Sequence, residues 1–187
     1  MKLSTTLVLS GLLLTSALNA EEMNSKQEGI KYIKMLGSRL KSELQSKIRA
    51  DKTGVEAVHF CKENATKITA EVNSKLPAYA KVRRTALKLR NAEKNGADAI
   101  DIKVMKAYEA AIEAKTFSPK DIKVVTDGDV TRVYKPLLAK QVCLVCHGSK
   151  VSKTIKAEIA KAYPNDKAIN FKEDSLRGVI VAEIKKH

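Results

Sequence analysis

Cysteines at 143 and 146 and a histidine at 147, in Cys143-Leu144-Val145-Cys146-His147-Gly148, have residue types and a spacing that specify a chemistry. Two thiols three apart on a helical turn point the same way, and the next residue offers an imidazole beside them. This is the attachment pattern of a c-type haem, with thioether bonds to two vinyl groups and the histidine as an axial ligand of the iron. Other chemistries also use paired cysteines. A structural zinc site needs four S or N donors, and outside this stretch the chain offers only Cys61, His59 and His187. A thioredoxin-like dithiol sits at the head of a helix after a strand in a βαβ unit, and no such unit is visible. The pattern therefore predicts one covalent haem c, attached at Cys143 and Cys146, with His147 on one face of the iron.

The other face needs its own ligand. Methionine there would make a high-potential carrier, but Met23, Met35 and Met105 all lie N-terminal to the motif. Small soluble cytochromes c place their methionine on the C-terminal side, and Met105 falls within a helical apolar stripe. The third cysteine, Cys61, lies on the stripe Val58, Cys61, Ala65, Ile68, Val72, which marks the inward face of a helix. His59 is turned about 160° from Cys61 on that helix and should face outward. Two readings of Cys61 stand side by side: a small buried hydrophobe, or an iron ligand that removes an otherwise odd thiol from an oxidising compartment.

The elements that must position these residues read as a mixed fold. Gln27 to Ala50 carries apolar residues at Ile30, Ile33, Leu36, Leu40, Leu44 and Ile48, a helical stripe. Thr53-Gly54-Val55-Glu56 matches a capping box and starts the Cys61 helix, which ends at Leu76-Pro77. Lys81 to Arg90 alternates as a strand, and Asn91 to Gly96 reads as a loop. Asp98 to Lys115 is a helix facing inward through Ile102, Met105, Tyr108 and Ile112. Asp127-Gly128-Asp129 joins two short β runs as a hairpin. Pro136 is placed to open the helix bearing the motif, Lys153 to Ala162 forms a further helix, and Gly178 to Ile184 is a last strand. The fold class is α+β, a single domain.

Residues 1–20 read as a secretory signal peptide: Lys2, an apolar run from Leu7 to Leu14, then Ser16-Ala17-Leu18-Asn19-Ala20 for cleavage. The run is too short to span a bilayer, and no other apolar stretch is long enough. This predicts a periplasmic protein with an N-terminal helix in 21–54 and the main domain in 55–187. The net charge is +14, and aromatics make up 4% of the residues. Export and the lack of stacking residues argue against nucleic acid. Lysines spread over helical faces fit solvation and steering towards an acidic redox or signalling protein.

Several segments in order resemble the PAS-like c-type haem domain family. They are Cys61 with Ala65 and Ile68, then Arg84, Arg90-Asn91 and Asn95, then Lys135-Pro136 and the Cys143–Gly148 motif. Tyr163-Pro164, Asp166 and Ala168, and Asp174 with Arg177-Gly178, complete the set. Ala92 and Glu173 depart from the family's Pro and Gly at those turns. The resemblance implies a PAS-like antiparallel sheet with N-terminal helices, one covalent haem, and His147 and Cys61 as axial ligands. On this resemblance, Arg84 and Arg90 are expected to meet the haem propionates. Sequence does not rank them against Arg83, and a solvated basic strand face is the alternative. The expected function is a low-potential monohaem protein for redox or gas sensing or slow electron transfer, not an enzyme. A four-helix electron carrier of the cytochrome c′ type is the alternative, and strand content separates the two.

Overall fold

The computed structural model describes the backbone of residues 9–185, with side chains from residue 22 onward. The signal-peptide expectation falls on residues without described side chains, the first eight of them outside the described residues altogether. Helix α1 (Leu9–Ala50) is followed by α2 (Val55–Glu63) and α3 (Ala65–Asn73). Strand β1 (Ala80–Thr85), the short α4 (Ala92–Asn95) and α5 (Ala99–Glu113) lead to the hairpin β2 (Lys123–Asp127) and β3 (Val130–Leu138). A 3-10 turn (Gln141–Cys143), α6 (Leu144–His147), α7 (Lys153–Ala162) and β4 (Leu176–Lys185) complete the order. No helix among the described residues is long and apolar enough to cross a membrane.

The four strands form one antiparallel sheet in the order β1-β4-β3-β2. This architecture is α+β, and it excludes the four-helix alternative. Because side chains alternate across a strand, each face of the sheet has its own core. Val82, Val133, Ile180 and Ala182 pack under Tyr32, Ile33, Leu36 and Leu40 of α1, with Ile68 and Val72 of α3. Tyr134, Val179 and Val181 pack on the other face against Val104, Met105 and Tyr108 of α5. A buried apolar side chain of this size contributes about 1.5–3 kcal/mol, so α1 is integral to the core. It lies so close to the sheet that a Cβ on Gly29 would sit 2.6 Å from Val133 Cγ2.

Local chemistry explains where elements start and stop. The helix read as continuous through Cys61 and Val72 is two, broken at Asn64 (φ −105°, ψ −30°). Its start is not a capping box on Thr53. Gly54 is the N-cap with φ 83°, and Asp51 Oδ2 accepts the Glu56 N–H at 3.0 Å. Helix α5 does have a capping box, between Asp98 and Asp101. Its inward face is rotated from the expected one: Asp101, Val104, Met105 and Tyr108 are buried, and Ile102 is exposed. Asp101 turns inward because Arg83 lies 2.9 Å from it and the Tyr134 hydroxyl donates to it at 3.0 Å.

Pro136 does not open the motif helix. It lies in β3 opposite Val179, past the point where β2 ends opposite Tyr134, so its missing N–H costs no ladder bond. The expected strand to Arg90 stops at Thr85, and the expected loop at 91–96 holds α4. The outer edge of β1 is closed by a side chain: Asn73 accepts the Val82 N–H at 2.7 Å and donates to Val82 O at 2.8 Å. The Ala80 N–H on the same edge is taken by Pro77 O at 2.9 Å.

Candidate haem site

The motif stands on two short turns between β3 and α7. Cys143 ends the 3-10 turn, and Leu144–His147 make a single α-turn. Gly148 stops it by donating to Leu144 O at 2.9 Å. A Cβ at Gly148 would lie 2.6 Å from that same oxygen, so only glycine fits. Cys143 and Leu144 pack against Ala139, Ala168 and Phe171, while Cys146 packs against Val58, Ile155 and Ile159.

His147 is fixed in one tautomer. Its Nδ1 lies 2.8 Å from the carbonyl oxygen of Ala168, which can only accept, so Nδ1 carries the proton and Nε2 keeps its lone pair. Burial, with Arg177 and Arg90 adding to it, pushes its pKa down to about 2. The ring is therefore a neutral imidazole, the form that ligates a metal, with its second nitrogen oriented by a backbone acceptor. Phe171 meets the ring edge-on at 6.1 Å and donates its N–H to His147 O at 2.9 Å.

Cys61 faces this motif from α2. Its thiol interacts electrostatically with Cys146, Arg84, Arg90, Arg177 and Tyr163. Burial raises the Cys61 pKa, and the three guanidiniums oppose that rise. His59 faces outward, with Nε2 3.3 Å from Glu158 Oε2. Cys61, Arg84, Cys143, Cys146, His147 and Arg177 all retain some accessible surface although protein surrounds them, as in the walls of a cleft. Beside Cys146, Tyr163, Ile159 and Ile169 border a cavity of about 310 Å³ that reaches neither Cys61 nor His147.

The arginines separate by strand alternation. Arg83 turns to the α5 face, where it pairs with Asp101 and Glu183. Arg84 turns to the Cys61 side. Its buried Nε has no hydrogen-bond partner, and burial lowers its pKa, with Cys61 and Tyr163 as the neighbours that oppose this. Arg90 is already engaged, with Nη2 donating to Cys146 O at 2.6 Å and lying 3.2 Å from Asp166 Oδ2.

Sequence reasoning gave no role to Arg177. It is the extra residue of a β-bulge, since Leu137 pairs with Gly178 and Leu138 with Leu176. Such bulges redirect a side chain. Arg177 lies over the Phe171 ring at 5.1 Å. Burial, with Arg90 and Arg84 beside it, pushes its pKa down to about 10. The cleft thus gathers more positive charge than its one carboxylate, Asp166, offsets. The signal in the sequence was Arg177-Gly178, where Gly178 takes φ 156° and a Cβ would lie 2.4 Å from Thr85 O.

All three cysteines are free. No group of three or more His, Cys, Asp or Glu residues is placed to hold a metal ion among the described residues, so the zinc reading lacks its ligand set. An all-antiparallel sheet also lacks the βαβ unit that a thioredoxin-like dithiol needs.

Comparison with known proteins agrees with this fold. No curated protein matches the chain. Among solved structures, the crystal structure of the cyanobacterial haem protein Tll0287 is similar, with 23% identity and a TM-score of 0.53 over 66% of this chain and 70% of that one. At that identity the likeness shows the fold. The model of the Tll0287-like family matches residues 12–184, nearly the whole described chain and every element of the cleft. The chain belongs to the Tll0287-like family.

Proposed function

We propose that this chain is an exported haem protein of the c type, with one haem attached at Cys143 and Cys146 and held axially by His147 and Cys61. Its role is redox or gas sensing, or slow electron transfer. The observation that carries the reading is the nearness of the Cys61 thiol to Cys146 of the motif and to three guanidiniums. The family and its haem-binding structural relative support it. So does the donor count. Only the imidazole and one thiol remain once the motif cysteines form thioethers, so a metal here must bring most of its own ligands, as a porphyrin iron does.

When bound, the haem supplies a one-electron ferric/ferrous couple, which a thiolate ligand biases towards the ferric state. The chain does the rest. Ala168 O orients the His147 ring, and Arg84 and Arg177 offer unpaired positive charge to two carboxylates and a thiolate. Proton uptake at Cys61 Sγ would end its hold on the metal and open that side to CO or NO. Because His147 and Cys61 would both serve as ligands at rest, the proposed role is electron transfer or sensing rather than catalysis. The leader-like residues 1–20 support a periplasmic location, and the +14 charge supports an acidic protein partner.

The test compares optical and EPR spectra of the exported holoprotein with those of Cys61→Ala. Loss of a low-spin thiolate signature in the variant is expected. An unchanged low-spin signal would remove Cys61 from the ligand set.

A further inference from the structure

A closed ring of contacts surrounds the backbone of His147. Arg90 Nη2 donates to Cys146 O at 2.6 Å, one residue before the histidine. The same nitrogen lies 3.2 Å from Asp166 Oδ2. Asp166 Oδ1 accepts the Ala168 N–H at 2.8 Å, and Ala168 O accepts the proton of His147 Nδ1 at 2.8 Å. Arg90 Nη2 also reaches Ala168 O at 3.4 Å. Both charged side chains are nearly buried, at 10% and 7% exposure, so water screens them little.

We infer that Arg90 and Asp166 are a positioning pair for His147: together they fix residue 168, whose carbonyl accepts the Nδ1 proton, and their opposed charges set how strongly the imidazole donates. The inference rests on the reading of His147 as an iron ligand. Asp166 holds residue 168 by its N–H and offsets the Arg90 cation that shares the Ala168 carbonyl, so that carbonyl keeps more of its acceptor strength for the imidazole. A stronger acceptor at Nδ1 makes Nε2 a better donor. Arg90 acts in the opposite sense, because its cation shares the same carbonyl oxygen. The pair also joins β1's following loop to the loop after α7, so the ring holds the motif turn as well as the histidine.

The opposed roles give opposed effects. In the exported holoprotein, Asp166→Asn leaves the Arg90 cation unbalanced and weakens the acceptor, so the midpoint potential rises. Arg90→Gln frees the carbonyl and leaves the carboxylate unbalanced, so the potential falls. Each shift should correspond to about a tenfold change in the ferric/ferrous equilibrium, about 59 mV for one electron. The double variant should return most of the way to wild type, and Arg90→Lys should restore the potential only in part, because an ammonium lacks the fork that spans Cys146 O and Asp166.

Spectroelectrochemical titration with EPR reads both quantities. Shifts in the same direction from the two single variants would reduce the pair to general scaffolding. An effect of Arg90→Gln without one from Asp166→Asn would make Arg90 a partner of a haem carboxylate instead. Either result overturns the inference. A wild-type spectrum without an imidazole ligand would instead overturn the reading beneath it.

Discussion

Arg84 is badly placed in the bare protein. Its buried Nε has no hydrogen-bond partner, and the like charges of Arg90 and Arg177 lie nearby. An unsatisfied buried polar group costs about 1–3 kcal/mol. Replacing Arg84 with Met keeps an unbranched stem and removes the orphaned Nε. The apo chain, made without haem attachment, should therefore gain about 1–3 kcal/mol, or roughly 2–12 °C in Tm for a chain of this size. The holoprotein should respond in the opposite sense, because a carboxylate of the bound group would then have lost its cationic partner. Urea titration of the four species, wild type and Arg84→Met with and without haem, gives both differences and their coupling. Equal destabilisation of the apo and holo forms would refute the argument, since it would make Arg84 an ordinary packing residue. The physical content is a trade of stability against function: a site preorganised for an anion is strained until the anion arrives.

On the far face of the sheet, Asp101→Ala would leave Arg83 without its fully buried carboxylate partner and Tyr134 without an acceptor. A loss of about 3–5 kcal/mol in urea unfolding is expected for breaking a buried pair, and a loss under about 1 kcal/mol would show that Glu183 suffices alone. Asp51 is held at about pKa 2, down from 3.8, chiefly by the Glu56 N–H and then by Thr53. A depressed carboxylate stabilises the fold above its unfolded pKa, and that contribution disappears as pH falls from about 3.8 to 2. Stability curves of wild type and Asp51→Ala should therefore converge across that window, and parallel curves would remove Asp51 as a stabilising acceptor for the first turn of α2. Gly178→Ala should lower stability and haem incorporation together, because its Cβ would meet the Thr85 carbonyl beside the Arg177 bulge.

The gathering of Cys143, Cys146 and His147 on one short stretch was legible because they are near neighbours in the chain. The inward aim of Cys61 was legible because helical period fixes direction. Helix α7 was found at its expected bounds, Lys153–Ala162, between Ser152 as N-cap and Pro164. Partnership across the sheet was less legible. Arg83 and Arg84 are neighbours of the same type, and only the register of β1 against β4 sends one to Asp101 and the other to Cys61. Arg177 owes its aim to a one-residue bulge, which leaves no trace in hydropathy. Asp101 broke the expected face of α5 because a pattern of apolar residues cannot anticipate a buried carboxylate supplied with its own cations. Pro136 misled for a related reason: its tolerance in β3 depends on where a different strand stops.

The Asn73 amide on β1 bears on how copies or partners could assemble. It fills the peptide groups of Val82 that point away from the sheet, and Pro77 occupies the Ala80 N–H beside them. The opposite border, β2, pairs only with β3, and its alternation leaves Val124 and Thr126 with outward peptide groups. Growth of the sheet by an added strand is thus directed to the β2 border. Arg84 stands on β1, at the other border, so an assembly built by strand addition would grow away from it.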